Sequence, residues 1–341
     1  MISRRVLLAG AATLAATAAR AQYFPRGLKE RQVRFAGTGG VTLAGTLALP
    51  TISEIQKVPG VVLVAGSGPT DRDGNNPLIP ARVDLLKEIA RSLGRVGIAS
   101  LRYDKRGIGG SAIHQRHSLD RPESYFTWEQ FAGDVQEAHA ELVRHDEIKS
   151  YATALLGHSE GGLLAIAASA AMGKRRPYGL VLASTPGRPL GDIVREQIAR
   201  SVPTLSAPAE RIMAAIRESG QVPPDGPPAF RAIFPAYAGA FLRAAFAFDP
   251  AGTLARTDIP CLLLQGAADL QVMAPHDVQP LLDTLAKREA PGEALIAPMV
   301  SHNLKLVKGS DDPGFTGPLA PVIEIKLVGW LSHLLGARSS L

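Results

Sequence analysis

Apolar and polar positions change rhythm along the chain. At residues 32–35 and 41–49 they form two strand-like runs, separated by Gly37-Thr38-Gly39-Gly40, a turn sequence suited to a hairpin. After Pro59-Gly60, short and nearly continuous apolar runs appear at 61–65, 98–101, 152–156, 180–183 and 261–264, with a weaker one at 294–297. Runs this short suit parallel strands buried on both faces. Between them, residues 83–93, 128–142, 163–172 and 322–335 carry apolar side chains at helical spacing. Thr127, with Gln130 three residues on, reads as a capping box opening the second of these helices. Strand and helix alternating in this way predict an α/β fold, with a mostly parallel central sheet flanked by helices.

Residues 188–253 interrupt that alternation. Pro203, Pro208, Pro223-Pro224 and Pro227-Pro228 separate amphipathic pieces at 210–217 and 230–248, and the stretch is too long for a bare connection. We expect a mainly helical lid inserted after the strand at 180–183, leaving a core made of 22–187 and 254–341. Phe230, Phe234, Tyr237, Phe241, Phe246 and Phe248 are expected to pack, either as a substrate-facing wall or as the lid's own core.

Composition changes the picture at the N-terminus. Ser3-Arg4-Arg5-Val6-Leu7-Leu8 resembles a twin-arginine export signal, and Ala19-Arg20-Ala21 is a small-x-small cleavage site. The apolar run between them is shorter than the ~20 residues a membrane span needs. Residues 1–21 are therefore expected to be a cleaved signal, with a periplasmic or secreted product and no stable membrane insertion after cleavage. Cleavage removes three arginines and so halves the formal net charge of +6. No basic cluster interleaved with aromatics exists, which argues against a nucleic-acid partner. Cys261 is the single cysteine, so no internal disulfide can form, and its apolar run suits core packing.

Candidate chemistry centres on Gly157-His158-Ser159-Glu160-Gly161, between the apolar run at 152–156 and a helix. A nucleophile elbow needs this context: a sharp strand-to-helix turn with glycines on both sides, lifting a serine hydroxyl above the strand ends. The N–H of Glu160 then lies at a helix N-terminus, where developing negative charge is favoured. A serine needs a base held by a third group. His139, His145 and His333 fall on or beside predicted surface helices, and His276 lies near a helix start. His114 and His117 follow the Asp104 loop in a polar stretch. His158 is Ser159's neighbour, with its side chain directed away. His302 lies in the loop after the last strand, in Val300-Ser301-His302-Asn303-Leu304, and is the expected base. Asp269, beyond the strand at 261–264, is the expected acid, with Asp258 as runner-up on the wrong end of that strand. The order Ser159, Asp269, His302 is the one expected of α/β hydrolases. Ala65-Gly66-Ser67-Gly68-Pro69 follows the strand at 61–64, and Ser67 is the expected second oxyanion donor besides Glu160.

With these motifs on the page, the chain resembles α/β-hydrolase-fold serine esterases of the serine-aminopeptidase-like and dienelactone-hydrolase-like group. The resemblance rests on Gly66-Ser67-Gly68-Pro69 with Asp71-Arg72-Asp73-Gly74, on Arg102-Tyr103-Asp104-Lys105-Arg106-Gly107, on the elbow, on 266–272 and on Ser301-His302. Ala65 stands where such proteins commonly carry a histidine. The resemblance implies that Asp104 and Arg106 tie loops together. Asp71-Arg72-Asp73-Gly74 resembles the start of a calcium loop, but Arg82 stands where its twelfth-position Glu belongs, so a pocket rim or a solvated turn is expected. No metal-ligand spacing and no dinucleotide fingerprint occurs, so no cofactor is expected. The implied partner is a small-molecule acyl ester. A peptidase with an acidic amine subsite supplied by Glu160 or a lid carboxylate, or a non-catalytic binding protein, are the alternatives. The oligomeric state is not legible.

Overall fold

The computed structural model describes residues 27–112, 122–309 and 311–337. The expected export signal at 1–21, and His114 and His117, lie outside the described residues. Eight strands form one sheet: β1 (Leu28–Ala36), β2 (Thr42–Pro50), β3 (Val58–Val64), β4 (Ala99–Tyr103), β5 (Ile148–His158), β6 (Gly179–Ala183), β7 (Cys261–Gly266) and β8 (Gly292–Ala297). Their order is β1-β2-β4-β3-β5-β6-β7-β8. β1 pairs with β2, and β2 with β4, antiparallel; every other pairing is parallel. The hairpin turn between β1 and β2 is a short 3-10 helix in which Gly39 has φ 74°, a left-handed conformation that glycine adopts without a Cβ penalty.

The helices are α1 (Leu85–Arg95), α2 (Pro122–Tyr125), α3 (Trp128–Arg144), α4 (Glu160–Ala171), α5 (Leu190–Ser201), α6 (Ser206–Ser219), α7 (Gly239–Ala247), α8 (Pro250–Ala255), α9 (Gln279–Lys287) and α10 (Pro321–Leu335). Thr127 caps α3, its hydroxyl accepting from the N–H of Gln130 at 3.3 Å. Period-two alternation sorts each central strand between two cores. Val62 and Val64 of β3 and Leu263 of β7 pack with α3, α4 and α9. Val61, Leu63, Leu262 and Leu264 pack with α1 and α10 on the other face. No helix among the described residues is long and apolar enough to cross a membrane.

Between β6 and β7 the chain forms α5 to α8. Ile198, Ile212, Met213, Ile216, Phe230, Phe234 and Phe246 make a separate apolar core for this insertion. Phe241 and Phe248 instead pack on Trp128 of α3, with ring centroids 5.6 and 5.0 Å away, and pin the insertion to the sheet-flanking layer. The aromatic residues expected as a wall are thus mostly spent on packing. The helical piece expected over 230–248 is broken: Pro235 precedes a 3-10 turn, and α7 begins only at Gly239. Proline offers no N–H to a helical ladder and clashes with the preceding turn.

Two buried arginines, Arg102 and Arg106, and the half-buried Arg72 lock the loops at the strand ends. Arg106 makes a two-pronged pair with Asp134 of α3 at 2.8 and 2.7 Å, and also donates to the carbonyls of Tyr125 and Thr38. Arg102 bonds Asp73 at 2.7 Å and Glu30 at 2.8 Å. Arg72 bonds Asp104 at 2.6 Å. Asp104 and Arg106 therefore do not pair with each other; each reaches across to a different segment. Planar guanidinium forks suit carboxylates held in fixed geometry, and losing one partner strands a buried charge.

Candidate active site

β5 ends at His158 and α4 begins at Glu160, leaving Ser159 alone at the turn with φ 54° and ψ −123°. Positive φ is strained for a residue with a side chain, and persists only where its surroundings over-determine it. Two glycines do that here. A Cβ on Gly157 would overlap the carbonyl oxygen of Gly161, and one on Gly161 would overlap that of Val64 in the neighbouring β3. The N–H of Ser159 is tied to the carbonyl of Ala183 at 2.8 Å.

Asp269 and His302, far apart in sequence, meet in the loops after β7 and β8. His302 Nδ1 donates to Asp269 Oδ2 at 2.8 Å. The other carboxylate oxygen accepts from the N–H groups of Gln271 and Val272 at 2.8 and 2.9 Å. Gln265 Nε2 adds a bond to Oδ2 at 2.9 Å, a contact with no sequence signal. Burial works against the charge on Asp269, but His302 and the two backbone donors outweigh it and hold the carboxyl below its usual range. Asp258, the runner-up acid, instead pairs with Arg176 at the opposite end of β7.

His158 is not idle, although sequence adjacency to Ser159 hides its part. Its Nε2 donates to the carbonyl of His302 at 2.9 Å, and Ser184 Oγ donates to the same oxygen at 2.8 Å. The two imidazole rings stand 4.8 Å apart. The loop carrying His302 is thus clamped onto the elbow by the residue just before Ser159. Burial, then the charge on His302, lowers His158 to about 3, so it stays neutral with its proton on Nε2.

His139, expected on a surface helix, is buried against the sheet with Nε2 2.8 Å from Thr153 Oγ1. Burial lowers it to about 4. These two imidazoles set an acid limit on stability. The unfolded chain takes up their protons near pH 6.5, whereas the folded protein refuses them until about 4 and about 3. The unfolded state therefore binds more protons across that window, and stability falls as pH drops through it. Urea midpoints measured from pH 7 to 4 should decline, and His139→Gln should flatten the decline. An unchanged slope in that variant would remove His139 as a cause.

Gly66 is pressed against the elbow: a Cβ there would lie 3.4 Å from Ser159 Cβ and 3.2 Å from His158 Nδ1. Ser67 is exposed, and its carbonyl accepts from Thr70 Oγ1 at 2.7 Å. The N–H of Glu160 opens α4, where no intrahelical acceptor exists for it. The Glu160 side chain is buried, 3.7 Å from the buried Lys105 Nζ, which also donates to the carbonyl of Gly66. Its carboxylate is therefore already answered.

The Asp71 carboxylate folds its own loop by accepting from the N–H groups of Asp73 and Asn75. An open cavity of about 630 Å³ lies beside this loop, lined by Pro69, Asn76, Ile79 and Arg82 and by Gly107 to Gly109. The loop is thus both a rim and a tied structural turn. Glu196, His276 and Asp277 come close enough for metal ligation, but Arg188 holds Glu196 and Asp277 at 2.5 and 2.8 Å.

Comparison with known proteins bears on the fold. The family described as serine aminopeptidase, S33 matches residues 82–229. Esterase EstD of Thermotoga maritima is 30% identical over 270 residues, covering 78% of this chain, which spans 58% of that esterase's length. Among solved structures, Est1E from Butyrivibrio proteoclasticus with bound ferulic acid superposes with a TM-score of 0.58 at 15% identity, over 89% of this chain and 100% of that one. The α/β hydrolase GrgF from Penicillium sp. sh18 gives 0.57 at 20% identity, over 90% and 99%. The chain has the α/β-hydrolase fold. On this fold, Ser159, Asp269 and His302 all follow the carboxyl ends of parallel strands β5, β7 and β8, the side on which open α/β sheets hold their ligands.

Proposed function

We propose that this protein is a serine esterase that cleaves carboxylic esters through Ser159, His302 and Asp269. The observation that carries the reading is the bond between His302 and Asp269, seated by His158 and Ser184 against a positive-φ serine. Asp269 fixes the proton on His302 Nδ1, leaving Nε2 to take the proton of Ser159 Oγ as it attacks the ester carbonyl. The N–H groups of Glu160 and Ser67 receive the oxyanion. Collapse breaks the ester bond, and His302 returns the proton to the departing alcohol. Water then attacks the acyl-enzyme with His302 again as base, releasing the acid and restoring Ser159. The 30% identity with an esterase supports the ester as substrate class. The arginine pair and small-x-small site in the first 21 residues support export to the periplasm or beyond.

The S33 match raises a second reading, release of N-terminal residues from short peptides. That reaction needs a free carboxylate for the substrate amine, and Glu160 is spent on Lys105, while of the lid carboxylates Glu196 is paired with Arg188 and Asp192 and Glu210 with Arg195. We therefore expect kcat/KM for p-nitrophenyl butyrate to exceed that for an aminoacyl-p-nitroanilide by orders of magnitude. Faster anilide cleavage in side-by-side assays would overturn the esterase reading.

A further inference from the structure

We propose that Lys105 is a positioning residue that sets the peptide plane of the oxyanion donor at Ser67, joining both donors through one buried ammonium. The inference rests on the esterase reading above. Lys105 follows β4 and is only 4% exposed, so it cannot serve as a solvated surface charge. Its Nζ holds the carbonyl of Gly66 on one side and the carboxylate of Glu160, 3.7 Å away, on the other. These are the two segments that carry the donors.

The geometry of a peptide makes this grip directional. Gly66 C=O and Ser67 N–H belong to one planar, trans unit, so they point in opposite directions. With Gly66 C=O drawn down onto Lys105, Ser67 N–H faces away from the buried ammonium. Gly66 lies against Ser159, so that outward face is the one beside the nucleophile. Among the described residues no other hydrogen bond holds this plane. Gly66 has no side chain to limit its rotation, and Ser67 is exposed. Thr70 fixes the next carbonyl, that of Ser67, so Lys105 and Thr70 together hold both peptide planes of the donor. Burial pulls the ammonium below its usual 10.5, while the neighbouring Glu160 carboxylate opposes the fall. A lone buried ammonium of this sort is costly unless paired. Its placement between two loops, away from any surface, suits orientation of the backbone.

The test separates orientation from simple charge balance. Lys105→Met leaves Glu160 buried without a partner and is expected to lower Tm. Lys105→Met with Glu160→Gln removes both charges and is expected to regain most of that Tm. In both variants of the full chain, kcat on p-nitrophenyl butyrate should fall about 10²-fold with KM little changed, as for a lost oxyanion donor. The inhibition constant for phenylboronic acid, whose tetrahedral adduct fills the oxyanion site, should rise in step. Should the single variant not fold, the double variant carries the comparison. A double variant with wild-type kcat, or one whose loss lies wholly in KM, would overturn the proposal and leave the esterase reading intact. Turnover that survives Ser159→Ala would overturn that reading, and this inference with it.

Discussion

Ser159→Ala is expected to lower kcat for an aryl ester by about 10⁶-fold, and to abolish labelling by a fluorophosphonate. The size follows from removing the nucleophile of a unit whose members act together, so nothing else in the site takes over its role. The backbone adds a second arm to this expectation. Ser159 sits at φ 54°, and strain of this kind costs of order 1–3 kcal/mol. Ser159→Gly should be as inactive as the alanine variant yet melt higher, because glycine adopts that conformation freely. Stability given up at the turn is thus exchanged for a half-buried hydroxyl held at the strand ends. Turnover in Ser159→Ala within tenfold of the parent, or a glycine variant melting below the alanine one, would refute the corresponding arm.

Asp269→Asn is expected to lower kcat about 10⁴-fold with little change in KM, because it imposes the wrong tautomer on the base. The surroundings of Asp269 dictate which way the amide must turn. One carboxylate oxygen accepts from the N–H groups of Gln271 and Val272, which cannot reverse. The asparagine oxygen must take that place, so its NH₂ faces His302 and Gln265. Gln265 Nε2 loses only its bond to position 269 and stays held by the carbonyls of Gly266 and Val272 at 3.1 and 2.9 Å. His302 can accept at Nδ1 only by moving its proton to Nε2, the atom that must receive the proton of Ser159. The fold survives and the base is blocked. Steady-state kinetics on the purified variant decide the matter, and a loss smaller than tenfold would show that Asp269 does not set the tautomer.

Legibility in the sequence followed the range of the interaction. The strands expected at 152–156 and 261–264 are the cores of β5 and β7, and both run one or more residues further. Periodicity reports burial on a given face, and the ends of a strand are set by neighbours rather than by its own residues. The break at Pro235 was visible as a proline, but only packing decided that no helix would bridge it. His139 misled because its helix is amphipathic, and the buried face extends far enough round to enclose an imidazole bonded to Thr153. His158 and Lys105 carried no signal of their own. Each acts on a backbone carbonyl, at His302 and at Gly66, and a backbone carbonyl is present at every residue.

The sequence by itself determined the alternation of strands and helices, the glycine-flanked turn that lifts Ser159, and the chain order of Ser159, Asp269 and His302. These are local properties: hydrophobic period, backbone freedom at glycine, and residue type beyond a strand end. Only the tertiary structure decided that Asp269 and His302 bond, that His158 and Ser184 clamp His302 to the elbow, and that Glu160 turns its carboxylate to Lys105. Those contacts join β4, β5, β6, β7 and the loop after β8, which lie side by side only once the sheet has been assembled in its crossed order.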